Sequence, residues 1–149
     1  MKSMVKKIIP FISSIIISLI FTITINADLN FVVDDANLLS LQEKTKLRID
    51  LENFKNEYNM DAVIVTSNNL NGKSQQDYAD DYFDYNGYGV GKEKSGLLLL
   101  IDMENRNIWI STSGEAIKYF TDNRIDNIVE DITSYLKNGD YFGGCNVFI

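Results

Sequence analysis

Two stretches decide the fold: Asp61-Ala62-Val63-Ile64-Val65-Thr66, and Gly96–Met103 (GLLLLIDM) running through Glu104-Asn105-Arg106 into Asn107–Thr112 (NIWIST). The first is β-branched and almost wholly apolar, which suits a central strand buried on both faces. GLLLLIDM has the same character. Glu104-Asn105-Arg106 reads as a tight turn, and the alternating NIWIST then pairs antiparallel with the strand before it. A helical segment separates the two central strands, so they form a parallel crossover unit, expected to be right-handed. The hairpin adds an antiparallel strand, and Val32-Val33 reads as a short edge strand.

The helices follow from local signals. Ser40-Leu41-Gln42-Glu43 is a capping box, and Leu47, Leu51, Phe54 and Tyr58 form one apolar stripe behind it. Ser74 caps a second helix that ends near Tyr85. Three glycines between Asn86 and Ser95 mark a loop. Thr121 or Asp122 opens a last helix whose stripe is Ile125, Ile128, Val129, Ile132, Tyr135 and Leu136, and Gly139 ends it. The expected fold class is therefore α/β: a three-layer α/β/α sandwich around a mixed, mainly parallel sheet, Rossmann-like in outline.

The N-terminus has a different character. Lys2, Lys6 and Lys7 precede an uncharged run from Ile8 to Ile25, and Asn26-Ala27 leads into the first acidic residue, Asp28. A basic start, an apolar core and a small residue at the end make residues 1–27 a signal peptide or membrane anchor. Lysines ahead of the apolar run keep that end inside and send residues 28–149 across the membrane. The expected location is thus secreted, or anchored with the domain extracellular.

Composition removes several classes of function. The chain has no histidine and one cysteine, Cys145. Serine-histidine catalysis, histidine-ligated metals and a disulfide framework are excluded. All 21 acidic residues lie after the leader, with eleven of the 14 basic ones, so residues 28–149 carry a net charge of −10. Such a surface repels nucleic acid and attracts cations. Carboxylates are the remaining chemistry, and hard cations such as calcium or magnesium take oxygen ligands. Asp77, Asp80, Asp81 and Asp84 share a helix face, which points carboxylates outward like a solvated face. Asp84, Asn86, Gly87 and Glu93 fit four positions of a calcium loop, but Tyr82 stands where its first ligand must be. Asp34, Asp35, Glu115, Asp122 and Asp140 sit at element ends. Asp122 also reads as an ordinary helix cap and Asp140 as a turn residue or cap, and spacing does not choose among them.

Several segments together resemble the TPM domain family, exported or lumenal domains that include a thylakoid-lumen acid phosphatase-like protein and bacterial membrane-anchored proteins. Val32-Val33-Asp34-Asp35-Ala36 with Leu39-Ser40 looks like the family's opening. Gly87–Gly96 before Leu97–Leu100 resembles its glycine loop and strand. Trp109–Gly114 with Ala116-Ile117 and Phe120-Thr121-Asp122 looks like the form found in low-GC Gram-positive bacteria, and Gly139-Asp140-Tyr141 like the closing GDY. Ser95 and Ser111–Gly114 depart from the commoner pattern. The resemblance implies an acidic cleft able to bind a divalent cation, with Asp34, Asp122 and Asp140 at family acidic positions; Asp34 and Asp122 are expected to hold the cation together with Asp140 or Glu115. With no histidine, no cysteine nucleophile motif and no D-x-D-x-T motif, the expected function is a non-catalytic module that binds a divalent cation and an envelope or membrane protein; the family resemblance alone suggests metal-dependent acid phosphatase as the alternative. Relatives of this form continue past the equivalent of Ile149, so 28–149 is expected to be a TPM-like domain cut short at its C-terminus.

Protease added to intact cells should digest the domain while cytoplasmic proteins survive. Full protection, with the envelope shown to admit the protease, would rule out export.

Overall fold

The computed structural model describes residues 29–149, and the leader lies outside them. The elements are β1 (Val32–Asp34), α1 (Leu41–Tyr58), β2 (Asp61–Ser67), α2 (Gln75–Tyr85), β3 (Gly96–Asp102), β4 (Asn107–Ser113), α3 (Ala116–Tyr119), α4 (Asp122–Lys137) and α5 (Tyr141–Phe148). Among the described residues no helix is long and apolar enough to cross a membrane.

The four strands lie in the order β1-β2-β3-β4. β1 and β2 are parallel, as are β2 and β3, while β4 is antiparallel to β3. Every residue of β2 and β3 is buried, as their unbroken apolar pattern requires. Cross-strand register sorts the side chains. Val32, Ile64, Leu99 and Ile110 share one face, and Val33, Val65, Leu100 and Trp109 the other. The first face is covered by α1, α4 and α5. Ile132 of α4 is fully buried, and Ile125, Ile128 and Val129 pack against the core. The opposite face is covered by α2, through Ala79 and Phe83.

Local chemistry accounts for the element ends. Ser40 Oγ accepts from the Glu43 amide, and Glu43 accepts from the Ser40 amide at 2.7 Å, completing the capping box. Asn59, with φ of +54°, ends α1 in the left-handed conformation that asparagine tolerates. Thr121, not Asp122, is the residue preceding α4; Asp122 occupies the first helical position and is no cap. The segments α3 and α5 are short helices without a long apolar stripe. Gly96 starts β3 where a Cβ would press on the Asp61 carbonyl (2.5 Å) and the Phe83 ring (2.8 Å), so α2 can lie close against the sheet only with glycine there.

The two parallel crossovers do not wind alike. The parallel strands step in one direction across the sheet, yet α1 lies on one face and α2 on the other. The β1–α1–β2 and β2–α2–β3 crossovers therefore have opposite hands, and one is left-handed, against the usual rule.

Ile132→Ala should lower stability by about 2–4 kcal/mol, since the α4 stripe closes over the sheet through this side chain. Urea denaturation measures it, and a loss within the scatter of surface substitutions would contradict the packing.

Candidate functional site

Three carboxylates are buried, one near an end of each parallel strand, and all three are held by the chain itself. Asp34 ends β1. Its Oδ1 accepts from the Leu38 amide (2.9 Å) and the Thr66 hydroxyl (2.7 Å). Its Oδ2 accepts from the Leu39 amide (3.1 Å) and faces Lys44 Nζ at 3.4 Å. Four donors match the roughly four lone-pair sites of a carboxylate. Burial works against the charge, but the Thr66 hydroxyl, the two amides and Lys44 together hold the pKa of Asp34 below its ordinary value. Thr66 Oγ1 also accepts from the Ala36 amide, so one hydroxyl ties the β1–α1 loop to β2.

Asp102, at the end of β3, is fully buried. It accepts from Gln75 Nε2, from the Asn105 amide and from Asn105 Nδ2. Burial opposes its charge, and these donors with the Glu104 amide outweigh it and lower its pKa. It therefore fixes the β3–β4 turn to the start of α2. Asp61, at the start of β2, accepts from the Gly89 amide at 2.7 Å and is paired with Lys55 Nζ at 2.9 Å. The bond from Gly89 moors the glycine loop, and the pair with Lys55 ties the strand start to α1. Neither Asp61 nor Asp102 stands out in the sequence; the only signal is an aspartate at the end of an apolar run, followed by Asn three residues after Asp102.

The four residues expected to share a cation are not brought together. Asp34 lies at one edge of the sheet and Asp122 beside β4 at the other, three strand spacings or about 14 Å away. Sequence spacing carries no information on strand order, which is what separates them. Asp140 caps α5 by accepting from the Gly143 amide at 2.7 Å. Glu115 follows β4 at the opposite end of the sheet from Asp34, exposed and paired with Lys118 at 2.7 Å. Among the described residues no three histidine, cysteine, aspartate or glutamate side chains form a metal-holding group. Cys145 is buried; burial first, then Asp34, Glu43 and Asp140, push its thiol up to about 12, so it is an inert core residue.

A different region is open. A cleft of about 520 Å³ runs along the outer side of β4, between α2 and α4. Asn107 to Thr112 form its floor. Gln76 and Asp80 stand on the α2 side, and Asp122, Ile125, Asp126 and Val129 on the α4 side. Asp80 accepts a short hydrogen bond from the Ser111 hydroxyl, so the helix face that reads as solvated contributes one carboxylate here. Asp77 and Asp81 instead meet Ser74 and Lys73. Trp109 is 37% exposed.

The profile of the TPM domain matches residues 32–149, the whole described fold apart from its first three residues. The chain belongs to the TPM domain family. It is 34% identical over 118 residues to the UPF0603 protein YdjH of Bacillus subtilis (strain 168), a match that takes in 79% of this chain and 44% of that protein. The chain thus spans less than half the length of this curated relative. Among solved structures, the N-terminal domain of a P. gingivalis protein matches with a TM-score of 0.71 at 21% identity, over 83% of this chain and 79% of that one. The N-terminal domain of a Corynebacterium glutamicum protein matches at 0.63 and 18%, over 80% and 74%. The BA42 protein of Bizionia argentinensis matches at 0.58 and 15%, over 74% and 76%. These likenesses show that the TPM domain shares their fold.

Thr66→Val should cost the TPM domain about 1–3 kcal/mol, because it leaves Asp34 and the Ala36 amide each short of a partner. The pKa of Asp34 is depressed on folding, so its contribution is complete above the unfolded value and is lost as pH falls through the folded one. Urea midpoints followed down from about pH 5 to about pH 2 should therefore fall less steeply in Thr66→Val than in the parent. Parallel curves would mean that Thr66 does not hold the charge.

Proposed function

We propose that this TPM domain is a non-catalytic protein-interaction module of the cell envelope, and that it takes up an extended segment of a partner protein along the outer side of β4. The observation that carries the reading is the contrast between the two sheet edges. β1 is three residues long and ends in a fully bonded aspartate. Short, charged edges of that kind resist pairing with other chains. β4 is seven residues long, without a bulge, a charge or a proline, and a cleft runs beside it. An unprotected edge suits strand addition, in which main-chain hydrogen bonds supply affinity and flanking pockets supply selectivity.

The leader's basic start and apolar run support display outside the cytoplasm. Carboxylates in the cleft leave room for a calcium or magnesium ion to modulate binding, although the reading does not require one. Metal-dependent acid phosphatase is the alternative brought by the resemblance alone.

A photo-crosslinking residue in place of Thr112 should give a discrete adduct in intact cells, whereas the same residue in place of exposed Asn53 on α1 should not. Equal patterns, or no adduct at Thr112, would sink the reading. Hydrolysis of p-nitrophenyl phosphate by the purified chain with magnesium or calcium, abolished by Asp122→Asn, would favour the phosphatase.

A further inference from the structure

The backbone of β4 shows which groups an incoming strand would meet. In an antiparallel pair, residues alternate between bonding to the neighbouring strand and pointing away from it. The Ile108 amide donates to Asn107 Oδ1 at 2.9 Å, not to β3. Ile108 is therefore in the outward phase, and Ile110 and Thr112 share it. Ile108 already has a side-chain acceptor, which closes the strand at its Asn107 end. The amides and carbonyls of Ile110 and Thr112 face the cleft, and among the described residues β4 has β3 as its one strand neighbour.

Side chains around these groups set the chemistry of the occupant. Asp122 and Asp126, four residues apart on α4, stand on one side of the edge and Asp80 of α2 on the other. No lysine or arginine lines the cleft. Between the carboxylates, Ile125 and Val129 on one side and Trp109 on the other offer apolar surface. An added strand projects alternate side chains to the two sides, and on both it meets a carboxylate next to apolar surface.

We infer that the β4 edge binds a basic, extended peptide segment, which joins the sheet as a fifth strand by bonding to Ile110 and Thr112 while its lysine or arginine side chains pair with Asp80, Asp122 and Asp126. This deepens the edge-capture reading and rests on it. Complementary charge speeds the encounter and selects against acidic segments, while the main-chain bonds hold the segment in place. The carboxylates also act on alternatives: an acidic strand would set like charges against both walls, which costs affinity at each.

The test uses the full chain, ¹⁵N-labelled, and an eight-residue peptide alternating lysine and valine. Two controls are its glutamate–valine counterpart and the fully N-methylated lysine–valine peptide, which keeps charge but has no main-chain donors. Saturable shifts of the Ile110 and Thr112 amides, with hydrogen exchange slowed at least about tenfold at both, are expected for the first peptide and for neither control. Asp122→Asn combined with Asp126→Asn, both exposed positions, should weaken that binding about fivefold or more, and added salt should weaken it as well. If the glutamate peptide protects the two amides equally, the basic preference is overturned while edge capture survives. If no peptide protects them, both fall. Equal shifts from the N-methylated peptide would reduce the interaction to charge adsorption and overturn strand addition.

Discussion

The pairing of β2 with β3 is the constraint on which everything else depends. All seven residues of each strand are buried, in register from Asp61 opposite Gly96 to Ser67 opposite Asp102. A pair hidden on both faces needs a helical layer on each side, and this calls α1, α4 and α5 to one face and α2 to the other. The same burial leaves the polar residues at the strand ends without water. Asp61, Thr66 and Asp102 each find a partner in the loop or helix that leaves or enters the sheet. The loops are thus positioned by the need to satisfy buried polar groups.

Much of this was legible in the chain because it rests on local patterns. Two apolar runs, a capping box at Ser40–Glu43 and the stripe from Ile125 to Leu136 each declare an element within a dozen residues. What was not legible depends on how elements are arranged. Asp34 and Asp122 each sit where a family acidic residue is expected, and neither reveals that the whole width of the sheet lies between them. Asp34 illustrates a second limit. Its role depends on Thr66, thirty-two residues away, and on amides that curl back to it only once the loop has formed. A carboxylate that looks free in the chain is fully employed in the fold.

The open cleft left a faint trace. NIWISTS announces a strand, and its lack of lysine and proline is compatible with either a central strand or an unprotected edge. Only the observed order, with β4 outermost, distinguishes them. Likewise, the opposite hands of the two crossovers have no local signature, since a strand–helix–strand segment reads the same for either hand. The helix faces also mislead in one particular: Asp80 belongs to a run that looks uniformly solvated, yet it alone turns toward the sheet to meet Ser111.

The β3–β4 hairpin closes over a turn of four residues, whereas β1 reaches β2 only after the whole of α1 has been laid down. Contacts between near neighbours in sequence form early, and those that must close long loops form late. The hairpin thus rests on local contacts, whereas the far edge rests on contacts that close a long loop. β1, three residues long, is held by its ladder to β2, by the burial of Val32 and by the Asp34 carboxylate. The molecule accordingly has a long margin at β4 built from contacts close in sequence and a short one at β1 built from contacts that span the whole of α1.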